Sequence, residues 1–206
     1  MYPVDGPARL IANTLRADLG TALIGREIIV LEQTGSTNDA ILQSATPDSN
    51  EGLVLFAEHQ TAGRGQRGNR WESAAGKGLW FSILLRPNID ISNSHQLTAW
   101  AVEAVSETIR NEFSLETAIK FPNDIQINGR KVAGVLVEMR AQEKAPHLAV
   151  AGIGINVNQS LADFPVELQS RAISLAMALG RHVDRQKFAV ALLQNLGRTY
   201  RAGFAR

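Results

Sequence analysis

Residues 124–139 read DIQINGRKVAGVLVEM. Two apolar runs, Ile125 to Ile127 and Lys131 to Met139, flank Asn128-Gly129. Asn-Gly supplies the positive φ angles of a tight hairpin turn, so the two runs pair antiparallel. A two-residue reversal leaves no room for a helical crossover, which argues against a doubly wound parallel sheet. Outward from this hairpin, Ala118 to Phe121 reads as a short strand before it. His147 to Val157 reads as a strand after it, rich in glycine at its end. Glu27 to Glu32, Leu53 to Glu58 and Leu79 to Arg86 are further strands, the last an apolar run ended by Pro87. Apolar spacing predicts helices over Pro7 to Leu19, Asp39 to Ala45 and Gln96 to Phe113. Asp163, Pro165 and Gly180 bracket another at Val166 to Leu179, and Asp184 caps a last one running to about Tyr200. Strands fill residues 27–157 and helices close both ends. That order predicts an α+β (mixed α/β) fold, a mixed, mostly antiparallel sheet with helices covering one face.

The 206 residues are 45% hydrophobic and 20% charged, with 21 Lys+Arg against 20 Asp+Glu. At roughly 100–200 residues per domain this is one domain, large enough to hold a core without staples. The absence of cysteine excludes a disulfide scaffold, thiolate catalysis and cysteine-based metal sites. A net charge of +1 speaks against a DNA-coating surface and leaves room for a local anion site. Asp5, Arg9, Arg16 and Asp18 interrupt any signal-peptide core near the start. No run reaches the roughly 18–20 apolar residues of a membrane span, so a soluble cytoplasmic protein is expected.

Three constellations carry chemistry. From Gly63 to Gly78 there are five glycines, four basic residues and one acid, a local charge of +3. Glycines let backbone N–H groups converge on an anion, and Arg64 and Arg67 offer planar forks for carboxylate or phosphate. Trp71 closes the loop and is able to cover an apolar ligand. The other reading is a mobile surface loop with solvated charges. In the second constellation, Lys120, Asn123 and Asp124 precede the hairpin and Lys131 follows it. A lysine on a buried strand needs a partner, either a ligand anion or a carboxylate such as Asp124 or Glu138. Gly134 at mid-strand marks a close approach to the backbone. The third is Gly152-Ile153-Gly154-Ile155-Asn156, whose alternating glycines clear one face for a flat ligand or a neighbouring helix. Ser36, Thr37 and Asn38 read most simply as a helix cap.

Taken in order, Gly35 to Asp39, Gln60 to Trp71, Gly78 to Pro87, Lys120 to Asp124, Gly129 to Glu138 and Gly152 to Asn158 resemble the catalytic domain of the biotin–protein ligases, also called biotin–[acetyl-CoA-carboxylase] ligases. The resemblance runs from about residue 27 to 158 and implies a sheet related to the class II aminoacyl-tRNA synthetase core. It implies synthesis of biotinyl-5′-AMP from biotin and ATP with Mg²⁺, then transfer of biotin to a lysine of the biotin carboxyl carrier domain of acetyl-CoA carboxylase. It assigns biotin to Ser36, Thr37, Asn38, Gln60, Arg64, Gly65, Gln66, Lys131 and Gly134. It assigns the nucleotide to Arg67, Trp71, Lys120, Asn123 and Asn156. Arg64 and Lys131 would offset the repulsion between carboxylate and α-phosphate, and Asp124 would orient or deprotonate the acceptor lysine. No metal ligands are assigned.

Gln66 stands where the family often has arginine, so weaker retention of the adenylate is expected. The resemblance implies one domain over residues 1–206, without the DNA-binding domain or the small C-terminal β-barrel of many relatives. No DNA or membrane partner is expected, and relatives are monomers or homodimers. The alternatives are a lipoate- or octanoyl-transferring relative, and a non-catalytic biotin- or nucleic-acid-binding module. Lipoate and octanoyl relatives lack the Gly-Arg-Gly-x-Arg-Gly loop with its Trp, and the modest charge disfavours a nucleic-acid module.

Overall fold

The alternation of large and small residues along the strands becomes two unequal faces of one sheet. The computed structural model describes residues 9–20, 22–45, 51–141 and 147–204. Its seven strands are β1 (Ile28–Thr34), β2 (Val54–Gln60), β3 (Gly78–Leu85), β4 (Ala118–Lys120), β5 (Asp124–Ile127), β6 (Arg130–Arg140) and β7 (Leu148–Asn156). They lie in the order β1-β2-β3-β7-β6-β5-β4. Only β1 and β2 pair parallel; every other neighbouring pair is antiparallel. The Asn-Gly turn forms as its chemistry requires, with φ of 50° at Asn128 and 73° at Gly129. The expected mixed, mostly antiparallel sheet is therefore present.

The described helices are α1 (Ala12–Leu19), α2 (Thr37–Ser44), α3 (His95–Phe113), α4 (Leu175–Leu179) and α5 (Arg185–Gly203). The expected start of the first helix, Pro7, lies outside the described residues. Helices α1, α3 and α5 cover one face, where Phe56, Phe81 and Ile83 of the sheet meet Leu97, Val105, Leu192 and Leu196. Trp100 donates its indole N–H to Thr199 Oγ1 at 2.9 Å, which fixes α3 against α5. On the other face, α2 packs over Leu55, Leu84 and Val150. The expectation of helices on one face thus meets an exception in α2.

A buried ion pair ties the layers together. Arg185 of α5 donates to Glu58 of β2 at 2.8 Å and to the Gly78 carbonyl at 3.0 Å. The second Glu58 oxygen accepts the Leu10 N–H at 2.7 Å. Charges this buried persist only when their bonding is complete.

The helix expected over Val166 to Leu179 is corrected by the structure. That stretch holds a 3₁₀ turn, Val166–Leu168, and only the short α4. The residues between are claimed by β6. Lys131 N–H donates to the Arg171 carbonyl at 2.8 Å and Ile173 N–H donates to the Lys131 carbonyl at 3.0 Å. Backbone groups spent on a strand cannot also close helical turns.

Candidate active site

On the face away from α3 and α5, β3, β7 and β6 align two rows. Ser82, Gly152 and Leu136 lie side by side, and next to them Trp80, Gly154 and Gly134. The three glycines strip this floor of side chains because other groups already stand there. A Cβ on Gly152 would come within 2.2 Å of Asn38 Oδ1. One on Gly154 or Gly134 would come within 2.5 or 2.9 Å of the Trp71 ring. Trp71 also meets Trp80 edge-on, with ring centroids 5.9 Å apart.

The N-terminus of α2 and the end of β2 form one wall. Gln60 Oε1 accepts from Thr37 N–H at 2.8 Å and from the Thr37 hydroxyl at 3.1 Å. Its amide nitrogen donates to Ser73 Oγ at 3.1 Å. The Ser82 hydroxyl donates toward Asn38 Oδ1 at 2.6 Å, with Thr37 Oγ1 at 2.8 Å. Ser36 sits at the N-cap but makes no side-chain capping bond, and it lines the cleft instead. The helix-cap reading of that residue holds for its position and not for its side chain.

The glycine-rich loop forms the second wall as an irregular hairpin. Trp71 N–H donates to the Gly63 carbonyl at 2.9 Å and Gly65 N–H to the Asn69 carbonyl at 2.7 Å. The Arg64 guanidinium donates to Asp39 of α2 and, at 3.2 Å, to Glu138 of β6. The bond from Asp39 raises the Arg64 pKa; burial opposes this and Glu138 adds to it. Gly65 lines the same cleft. Gln66 and Arg67 do not: they border a neighbouring groove with Leu136 and Glu138.

Lys131 is the cation at the centre. Its ammonium lies 2.6 Å from Asp124 and 5.1 Å from the centroid of the Trp71 ring. Of the two partners left open by the sequence, the carboxylate is the one present, and it is Asp124. Lys131 and Trp71 line the first cleft and also a second one on the far side, which Lys120, Asp124 and Asn156 border. The first is narrow, about 40 Å³, because Trp71 lies in it, and the second measures about 540 Å³. Sites for small molecules run to several hundred Å³. A ligand of that size in the first cleft requires the loop carrying Trp71 to shift. Asn123 lines the first cleft and donates to the Val135 carbonyl at 2.9 Å. The Asn156 amide donates to the Ile173 carbonyl at 3.2 Å and accepts from Gln159 at 3.0 Å, so it braces the wall of the second. The segment beyond is braced too. Burial alone would push the Asp163 carboxyl up, yet bonds from Lys77 and from the Ser160 hydroxyl and backbone hold it below the ordinary value.

Ser82, Asp39 and Glu138 belong to the hydrogen-bond network of the cleft, a place the sequence did not give them. Ser82 had a signal, a hydroxyl inside the apolar run of β3. No group of three or more metal-ligating His, Asp or Glu side chains occurs among the described residues, and none of their helices is long and apolar enough to cross a membrane.

The fold and the cleft together set a glycine floor beside a polar wall and one central lysine. Residues 30–156 match the model of the biotin/lipoate A/B protein ligase family. Over 198 residues the chain is 39% identical to the bifunctional ligase/repressor BirA of Bacillus subtilis, covering 96% of this chain and 61% of that protein. Over 176 residues it is 35% identical to the biotin–[acetyl-CoA-carboxylase] ligase of Mycobacterium tuberculosis, covering 83% and 63%. The structure of the Aquifex aeolicus biotin protein ligase in complex with biotin and ATP superposes with a TM-score of 0.72 at 31% identity, over 84% of this chain and 70% of that one. The chain belongs to the biotin/lipoate A/B protein ligase family. It spans less than two thirds of the length of the Bacillus and mycobacterial relatives.

Proposed function

We propose that the chain joins biotin to ATP as biotinyl-5′-AMP and passes the biotin to a lysine of a carboxyl carrier domain of the acetyl-CoA carboxylase type. The observation that carries this reading is the position of Lys131, whose ammonium borders both clefts. Biotin occupies the first, with its polar head among Ser36, Thr37, Asn38 and Gln60 and its rings on the glycine floor beside Gly65 and Gly134. The nucleotide occupies the second, bordered by Lys120, Trp71 and the wall that Asn156 braces, with Asn123 at the boundary. Arg67 and Gln66, which border the neighbouring groove, reach the adenylate only when the loop shifts, and Gln66 then brings one cation fewer than an arginine does. The occupants fit relatives of at least 30% identity, one of them solved with biotin and ATP.

The carboxylate of biotin attacks the α-phosphorus and pyrophosphate leaves. Two anions meet in that step, and a fixed cation between them lowers its barrier more than it would in water. Lys131 reaches them by releasing Asp124. The freed Asp124 then accepts a proton from the acceptor lysine, whose amine attacks the acyl carbon and expels AMP. Mg²⁺ carried by the triphosphate would supply charge neutralisation there, and an ion so carried would ask only one or two carboxylates of the protein. Glu72 and Asp124 are carboxylates bordering that cleft. The reading requires a compartment supplied with ATP, such as the cytoplasm.

The test is mass spectrometry of a biotin carboxyl carrier domain incubated with this protein, biotin and MgATP. The carrier gains the mass of one biotin on its acceptor lysine. An unchanged carrier mass, with biotin and ATP present at saturating levels, overturns the reading.

A further inference from the structure

We propose that Arg64 does not grip the ligand carboxylate but fastens the glycine-rich loop, and that Asp39 and Glu138 are positioning residues that hold it there. The proposal rests on the reading above. Arg64 crosses from the loop to two separate elements, donating to Asp39 on α2 and to Glu138 on β6. Glu138 is itself fixed, because Asn38 donates its amide to it at 2.6 Å. Asn38 in turn accepts from Ser82 on the floor. The loop is thus tied by one guanidinium to the network that forms the head-group wall.

The tie reaches Trp71 through the hairpin. Arg64 pairs with Arg70 across the loop, and Gly63 receives the Trp71 N–H. Fastening Arg64 therefore fixes where the Trp71 ring lies on Gly154 and Gly134. The fastener is also releasable, since the three side chains are 40%, 49% and 40% exposed for Arg64, Asp39 and Glu138. Ion pairs so exposed are weak and screened, strong enough to bias the loop and weak enough to let it open for a ligand. An arginine already carrying two carboxylates has little charge left for a third. Arg64 also borders the first cleft, but Lys131, paired with one carboxylate rather than two, is the cation left available there.

The experiment compares the unaltered protein with Asp39→Asn, Glu138→Gln and Asp39→Glu, each first checked for an unchanged thermal midpoint. One arm is limited trypsin digestion without ligand, following cleavage after Arg67 and Arg70 by mass. The other is the rate at which preloaded biotinyl-AMP leaves. Asp39→Asn and Glu138→Gln are expected to speed both by about fivefold, the scale set by ion pairs of this exposure. Asp39→Glu restores both. Slower or unchanged release from Asp39→Asn overturns the proposal, because a guanidinium freed to grip the ligand would hold it longer. Should the unaltered protein bind no biotinyl-AMP, the biotin reading falls, and the digestion arm alone decides the fastener: unchanged cleavage refutes it.

Discussion

Phe81 and Ser82 are neighbours on β3, yet they belong to different tasks. Phe81 points under α3 and α5 into a continuous apolar core, whereas Ser82 points to a floor of glycines and hydrogen bonds. The contrast holds across β3, β7 and β6. One face carries the apolar core, and the other, where Trp80 and Leu84 stand, carries three glycines against which Trp71 and Asn38 lie. A strand alternates by necessity, so a single sheet can separate stability from chemistry one residue at a time.

Substitutions test how complete that separation is. The largest expected effect is on the core face. Phe81→Ala should cost about 3–5 kcal/mol of stability, read from denaturant unfolding. If the faces are separate, the fraction still folded keeps its affinity for biotin. Next is Lys131→Ala, which should slow pyrophosphate release by roughly 10²–10³-fold. Its unfolding midpoint should move far less than that of Phe81→Ala, and an equal shift would break the contrast. Gly154→Ala comes third. The added carbon displaces Trp71, so biotin and ATP should each bind about tenfold more weakly by calorimetry, a loss of about 1.4 kcal/mol. Gly154 is not held at a positive φ, so backbone strain adds nothing to that loss. The smallest effect belongs to neither face. The Asp163 carboxyl is held below its ordinary value, so its stabilisation is complete above the ordinary carboxylate range. It is lost as pH falls through the depressed value. Asp163→Asn should remove about 1 kcal/mol or less at neutral pH and leave a flatter acid limb in thermal melts.

How much of this was legible depends on whether the determinant is local. The hairpin at Asn128-Gly129, the strand alternation and the cap at Asp184 are written within a few residues and appear as read. The motif residues on the cleft walls also came together. Sequence could not show that residues 171–173 would be taken by Lys131, since that partner lies far away along the chain. Nor could it show that Arg64 would find Asp39 and Glu138, which are 25 and 74 positions distant. Ser36 caps α2 by position, as its local signal indicated, but its side chain makes no capping bond. Such errors fall where a tertiary partner outbids a local preference, and here those places border the cleft.

On the proposed reading, the glycine floor also limits how one ligand could be exchanged for another. At Gly134, Gly152 and Gly154 no smaller residue exists, so the floor cannot be lowered to admit a bulkier ring, and any larger residue only raises it. Selectivity can therefore be retuned in one direction from below. Any redesign toward a wider molecule must work through the walls, by trimming Trp71 or Leu136, while the platform beneath stays as it is.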